Sequence, residues 1–389
     1  MTPTFSKRFP RSLQLLGWPI RLIVLCAALS ALMPPPPRAI LGDPQMVETT
    51  KPLMCVHTRL IDEVDEWKIQ QTLIDVREMG AGTIVEFFPW AYIEPSPGDY
   101  HWESVDRIVR HAQNQGIRII ARLGLVPAWA RDTEEDAFDS FNTLPPDSYD
   151  QFADFTAAFA ARYVGTIDHL IIWNEPNLAF EWGYHSVDPA GYLRLLQAVY
   201  PAIKAANPNA IVLAAPLAPT LEPEGSPNGL DDLVYLDQLY ALGAADYFDA
   251  LAIHTYGFTT PADASPAPDQ LNFRRAELLR DIMIRHGDGA TPAYITETGW
   301  NDSPRWTFAV TPSLRIQYTL QAYEMAESWD WLRAMCLWVF RFPSPTFSYP
   351  DSYTLVNVDF RRKPIYFALQ AYARGLAHAD ELWLPDPTG

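Results

Sequence analysis

Two glutamates stand out by their surroundings. Glu175 lies in "IIWNEPN" (Ile171 to Asn177) and Glu297 in "AYITETGW" (Ala293 to Trp300), each just past a short run of aliphatic and aromatic residues. Such runs read as buried strands, and a carboxylate at the end of one is costly unless it is paired or used. A pair of such carboxyls suits the cleavage of a glycosidic bond. One, held protonated, gives its proton to the departing oxygen; the other, ionised, stabilises or attacks the anomeric carbon. At a separation of about 5–5.5 Å the second acts as nucleophile and configuration is retained, whereas about 6.5–9.5 Å admits a water and inverts it. Repulsion between two close carboxylates keeps one protonated, and the loss of charge on forming a glycosyl ester lets that group act next as a base.

Something must bring these distant glutamates together. From residue 52 onward short apolar runs alternate with amphipathic stretches: "LMCVH", "TIVEFF", "IRIIARL", "HLIIWN", "AIVLAAP", "FDALAIH", "AYITE" and "AMCLWVF". Each has the length of a buried parallel strand. Between them lie helical patterns such as "DEWKIQQTLIDVREMG" and "SYDQFADFTAAFAARYVG", started by Asp, Ser or Thr and ended at Gly or near Pro. Strand-helix alternation of this kind gives a parallel sheet, and eight units predict an α/β protein, a (β/α)8 TIM barrel forming one domain over residues 52–380. The alternative is an open doubly wound sheet, disfavoured because no G-x-G-x-x-G turn follows the first run. In a barrel, functional side chains gather at the carboxyl ends of strands. Glu175 ends the fourth strand and Glu297 the seventh, so closure aims both into one mouth.

"WNEPN" and "ITETGW", on the fourth and seventh strands of an eightfold barrel, resemble the signature of clan A glycoside hydrolases, retaining enzymes with a catalytic Glu on each of those strands. The resemblance covers residues 52–375. It includes "FFPWAYIEPSPGDYHW" (Phe87 to Trp102), similar to a second-strand segment of family 39-like and family 5-like members. It implies hydrolysis of a β-linked glycoside or polysaccharide by double displacement, with Glu175 as acid/base and Glu297 as nucleophile. Neither cofactor nor metal is implied. Two alternatives remain: a carbohydrate-binding barrel that has lost catalysis, and a transglycosylase on the same scaffold.

The resemblance also assigns supporting residues. Asn174 would hydrogen-bond the sugar 2-hydroxyl, and Tyr256 would hold the carboxylate of Glu297. Trp338 in "CLWVF" would lie beneath the sugar ring. His254 and Tyr256 stand two apart in "IHTYGF", so on a strand both face the same way. Trp90, Trp129, Trp182 and Trp300, near strand ends, are further candidates for sugar stacking, and His57 in "VHTRL" for reaching the pocket. One departure is visible. Clan members commonly carry an arginine at the second-strand end, where "TIVEFF" offers Glu86, a third carboxylate; Arg59 or Arg122 is left to compensate.

Composition bounds the partners. The 389 residues are 48% hydrophobic and 20% charged with a net charge of -18, globular values with an acidic balance that repels nucleic acid and anionic membranes. A neutral oligosaccharide or polysaccharide is the expected partner, and the chain is expected to be a monomer. Lys7, Arg8 and Arg11 precede the apolar "LIVLCAALSALM" and then "PPPP". Residues 1–41 thus read as a signal peptide, or an uncleaved membrane anchor, plus a Pro-rich linker, placing the protein outside the cell or on its surface. Of three cysteines, Cys26 lies in that segment, while Cys55 and Cys336 sit in strand-like runs and read as buried free thiols. The eight histidines show no H-x-x-x-H or Cys/His spacing, so no metal site is expected.

Overall fold

The computed structural model describes residues 18, 20, 22–25, 39–131 and 140–379. The chain divides into two units, Met1–Ile40 and Leu41–Gly389. In the first, the described residues Trp18, Ile20 and Leu22 to Leu25 are helical and exposed; most of the leader expectation falls outside the described residues. No described helix is long and apolar enough to cross a membrane.

The second unit is a closed barrel of parallel strands in the order β1-β2-β3-β4-β5-β6-β7-β8. The strands are β1 Met54–Thr58, β2 Thr83–Pro89, β3 Arg118–Gly124, β4 His169–Ile172, β5 Ile211–Ala214, β6 Ala250–Tyr256, β7 Ala293–Gly299 and β8 Leu332–Leu337. The helices that follow them are α1 Glu66–Met79, α2 Glu103–Asn114, α3 Tyr149–Arg162, α4 Pro189–Ala206, α5 Asp232–Ala241, α6 Arg275–Arg285, α7 Pro312–Ala326 and α8 Pro364–Ala373. Local signals set their ends. Asp231 caps α5 by accepting from the backbone N–H of Leu233 and Val234, and Gly80, at φ 98°, stops α1 where a side chain at Cβ would strike Ala373.

Strand residues alternate between two cores. Ile84, Phe88, Ile119, Leu123, Leu170 and Ile172 face outward into the layer shared with the helices. Val85, Ile120, Ile171, Leu213, Ala250, Ala252, Tyr294 and Ala334 fill the barrel with Cys55 and Cys336. The period of two then carries the inward face up to the mouth: Cys55 leads to His57, Val85 to Phe87, Ile120 to Arg122, Ala252 to His254 and Tyr256, and Cys336 to Trp338.

Cys55 and Cys336 are joined by a disulfide, 281 residues apart in sequence. The expectation of free thiols is therefore corrected. The two lie opposite each other in the β1/β8 ladder, the seam where first and last strands meet, and sequence separation hides that proximity.

Glu86 follows the outward phase of β2. Its carboxylate accepts from Thr58 Oγ1 at 2.5 Å and from the backbone N–H groups of Leu60 and Ile61 at 3.1 and 2.9 Å. It fastens the turn after β1 and does not stand as a third carboxylate beside the glutamate pair.

Candidate active site

Strict alternation would turn Glu297 outward with Ile295, but the ladder slips at this point. Ile253 pairs with Ile295 while the next residue, His254, pairs with Glu297. Thr296 is the extra residue of a bulge, and the bulge re-aims the following side chain into the barrel. There Glu297 Oε2 accepts from the Tyr256 hydroxyl at 2.8 Å, and Oε1 lies 3.4 Å from Arg122 Nη1 and 3.6 Å from His57 Nε2.

Glu175 reaches the mouth by a different device. β4 ends at Ile172 because Trp173 and Glu175 take left-handed backbone angles, φ 79° and 40°. Such conformations are unfavourable for non-glycine residues and persist where the surroundings enforce them. Here Trp173 N–H donates to Leu123 O, its indole to Glu181 O, and Glu175 N–H to Pro216 O. All seven non-glycine residues of positive φ among the described residues lie in loops that follow strands, at the end of the barrel where the glutamates are.

The two carboxyls face each other closely. Single ligand atoms of Glu175, His254 and Glu297 all lie within 4.8 Å of one another. Burial raises the pKa of Glu175 to about 7, opposed only by the charge of Arg122. Burial raises the pKa of Glu297 too, and the charge of Glu175 adds to the rise, while His254, Arg122 and the Tyr256 hydroxyl oppose it. The environments differ: three groups favour the ionised form of Glu297, whereas Arg122 alone favours that of Glu175. His254 Nδ1 lies 2.7 Å from Glu175 Oε1, and burial lowers its pKa to about 4. A neutral imidazole and a protonated carboxyl therefore share one proton across that contact.

His57 is neutral as well, its pKa lowered chiefly by burial. Its Nδ1 faces the Thr58 carbonyl oxygen at 3.0 Å and must carry the hydrogen. Nε2 is thereby left as a buried acceptor without a hydrogen-bond partner, aimed at the mouth.

Asn174 stands between cation and anion. Its Oδ1 accepts from Arg122 Nη1 at 2.6 Å, and its Nδ2 donates to Glu181 Oε1 at 3.1 Å. The second oxygen of Glu181 accepts from Asn142 at 2.9 Å. Burial, then the charge of Glu175, raises the pKa of Glu181 to about 7. The Arg122 guanidinium lies over the Phe87 ring, 4.5 Å from its centroid. Arg122, Asn174 and Glu181 also line a cavity of about 150 Å³ beside the pair. Glu181 had no signal in the sequence: it comes from a short helical turn, Ala179–Trp182, in the loop after β4.

Glu175, His254 and Glu297 could offer three ligand atoms to a cation. Two of the three already face each other in the His254–Glu175 hydrogen bond, which an ion would have to break.

The aromatic candidates divide. Trp338 follows β8 directly, its ring 5.2 Å from Tyr353, which stands 5.6 Å from Tyr256. Trp300 does not join them. It is 1% exposed, its indole donates to Thr260 O, and a side chain at Gly257 would collide with its ring. Trp90 is wholly buried against Trp129, Phe152 and Phe155 and donates to Glu94 Oε2. Trp129 is half-buried, edge-on to Trp90, and donates to Glu94 O. Trp182 packs edge-on against Trp173 and Tyr192. A position near a strand end does not tell a ring that faces the mouth from one wedged behind it.

The family model Glyco_hydro_42, described as beta-galactosidase, matches residues 61–139. No curated protein sequence matches the chain. Among solved structures, a family 39 glycoside hydrolase from Bacteroides cellulosilyticus WH2 aligns with a TM-score of 0.66 at 22% identity, covering 85% of this chain and 65% of that one. A monomeric beta-xylosidase from Caulobacter crescentus CB15 aligns at 0.60 and 20% identity, covering 84% and 69%. A GH5_18 protein from Streptomyces cattleya, in complex with GlcNAc, aligns at 0.62 and 16% identity, covering 90% and 83%. The chain spans just under two thirds of the first of these. The likenesses establish the barrel fold.

Proposed function

We propose that the protein hydrolyses a β-linked glycoside with retention of configuration, Glu175 serving as acid/base and Glu297 as nucleophile. The observation that carries this reading is that one oxygen of each carboxyl lies within 4.8 Å of the other, close enough for both to act on a single anomeric carbon as in the retaining arrangement of about 5–5.5 Å. The likeness to a family 39 glycoside hydrolase and to a beta-xylosidase supports it.

In the first step Glu297 attacks the anomeric carbon while Glu175 protonates the leaving oxygen. Arg122 and Tyr256 hold Glu297 ionised and fix its direction. Once Glu297 is esterified its charge is gone, the pKa of Glu175 falls, and Glu175 deprotonates the incoming water. His57 Nε2 and Asn174 are placed to take sugar hydroxyls, and Trp338 to lie against the ring. The substrate is an oligosaccharide or polysaccharide and the protein acts as a monomer.

The reading extends to location: the chain is exported, with residues 1–41 as its leader. The Cys55–Cys336 disulfide supports this, since such bonds persist mainly in oxidising compartments. A panel of aryl β-glycosides tests the activity, with NMR of the first-formed anomer and Glu297→Ala as control. Wild-type turnover giving the β-anomer is expected. Absence of turnover across the panel, or α-anomer as first product, refutes the reading.

A further inference from the structure

The rings around Trp338 do not stop at the mouth. Tyr353 leads on to Trp306 at 6.1 Å, and Trp306 stacks on Tyr349 at 4.6 Å with an angle of 15° between planes. Trp306 also touches Phe308 at 5.5 Å, Phe308 touches Phe258 at 5.9 Å, and Phe258 returns to Tyr256 at 6.2 Å. The circuit therefore begins and ends on the tyrosine that holds Glu297. It is built by the loops after β6, β7 and β8, and its outer members Phe308 and Tyr349 are 52% and 44% exposed; Phe347, two residues before Tyr349 in the same loop, is 91% exposed.

An exposed aromatic surface of this extent marks a binding site more often than it marks idle surface, and this one is held in shape. Asn301 Nδ2 donates to Tyr349 O at 2.8 Å, tying the β7 loop to the β8 loop. Asp351 accepts from the backbone N–H of Thr346 and Phe347, each at 2.9 Å, and fixes the turn that carries Phe347. Arg315, 2% exposed, bonds Asp302 and the carbonyl oxygens of Tyr353 and Thr354 from below. Phe258 and Phe347 adopt positive φ, 50° and 55°, an unfavourable conformation for residues that serve only as surface. Flat rings with polar edges between them suit the alternating C–H faces and hydroxyls of sugars. A preformed platform also avoids the ordering cost of binding.

We propose that Trp306, Tyr349, Phe308 and Phe347 form an accessory subsite that stacks the second and third units of a β-linked oligosaccharide whose reacting unit lies at the glutamate pair. This rests on the hydrolytic reading and specifies its substrate class: the enzyme acts on chains in preference to single-unit glycosides.

Initial rates on xylo-, cello- and manno-oligosaccharides of two to five units, with an aryl β-monoglycoside as reference, test the proposal. For the series that is hydrolysed, kcat/KM should rise roughly tenfold or more from two to four units. Trp306→Ala should flatten that rise and leave the aryl monoglycoside unchanged, while Trp306→Phe restores part of it. Phe347→Ala makes the same test at a site whose removal disturbs no packing. A flat length profile in wild type, or one that survives Trp306→Ala and Phe347→Ala, overturns the subsite and leaves the hydrolase standing. If nothing is hydrolysed, the hydrolase reading fails and the platform is judged by titrating the same sugars against tryptophan fluorescence. Quenching lost in Trp306→Ala supports it. No binding at millimolar sugar, or a dimer by light scattering that Trp306→Ala dissolves, overturns it.

Discussion

Arg122 stands with its Nη1 3.4 Å from Glu297 Oε1, and the two come from strands β3 and β7 on different sides of the ring. This is the arginine that the second strand lacks. With Glu86 turned outward to hold the β1 loop, the cation beside Glu297 is supplied one strand further on. Arg122→Met removes that charge while keeping much of the stem. Its loss should raise the pKa of Glu297 and cut kcat/KM by 10²-fold or more, and the acid limb of the pH profile should move upward. An unchanged acid limb would show that Arg122 does not set the ionisation of Glu297.

The proton on Glu175 sets the other limb. Because its pKa is raised to about 7, the acid form is present below that pH and lost above it, so kcat/KM should fall as pH rises through about 7. In Glu175→Gln the limb should vanish. Substrates with good leaving groups should still form the glycosyl-enzyme in that variant, and added azide should rescue turnover as the β-glycosyl azide. Retention of the alkaline limb in the variant would assign it to another group.

Glu181 acts, on this structure, through Asn174. Glu181→Gln keeps the shape of the contact but exchanges an acceptor-only oxygen for an amide that can turn its N–H₂ toward Asn174. A tenfold loss in kcat with KM little changed is expected if Glu181 orients Asn174 for the transition state. Equal kcat in wild type and variant over the whole pH range would reduce Glu181 to packing.

Stability should follow the same carboxyls in the same direction. Glu175 and Glu181 have folded-state pKa values near 7 against an unfolded value near 4.5, so the folded state binds more protons between those limits and loses stability as pH rises through them. Tm should therefore decline from pH 5 to pH 8. Glu175→Gln should be the more stable protein at pH 8, by on the order of 1–3 kcal/mol, and near parity at pH 4. A variant that melts below wild type at pH 8 would contradict the assignment.

The disulfide supplies a fifth measurement. Cys55→Ala/Cys336→Ala should lower stability by roughly 2–5 kcal/mol, read as a Tm fall of several degrees. Reductant should lower wild-type Tm and leave the double variant unchanged. Titration of two free thiols at these positions in the folded, non-reduced protein would remove the bond from the account.

The barrel was legible because each of its strands is an apolar run of the right length and several of the crossover helices end at Gly or near Pro. Glu175 and Glu297 were legible for the same reason: they stand where a parallel strand hands over to a loop. What escaped depends on geometry that composition does not encode. The bulge at Thr296 changes which way Glu297 points, and no residue type announces it. Glu181 reaches Asn174 only because Trp173 and Glu175 leave the strand at positive φ. Trp300 and Trp90 share the setting of Trp338, and only three-dimensional packing shows that they are wedged behind the wall. The Cys55–Cys336 pair requires knowing that β1 and β8 meet in register.

That last pairing alters what the polypeptide is as an object. With its first and last strands covalently joined, the segment between them is a loop without free ends, threaded through every strand of the barrel. A protease that cuts one surface connection between β1 and β8 leaves two pieces still linked through a bond in the barrel interior. A protein built this way tolerates nicking: it migrates as one band until reduced, and the pieces stay close enough to reassemble.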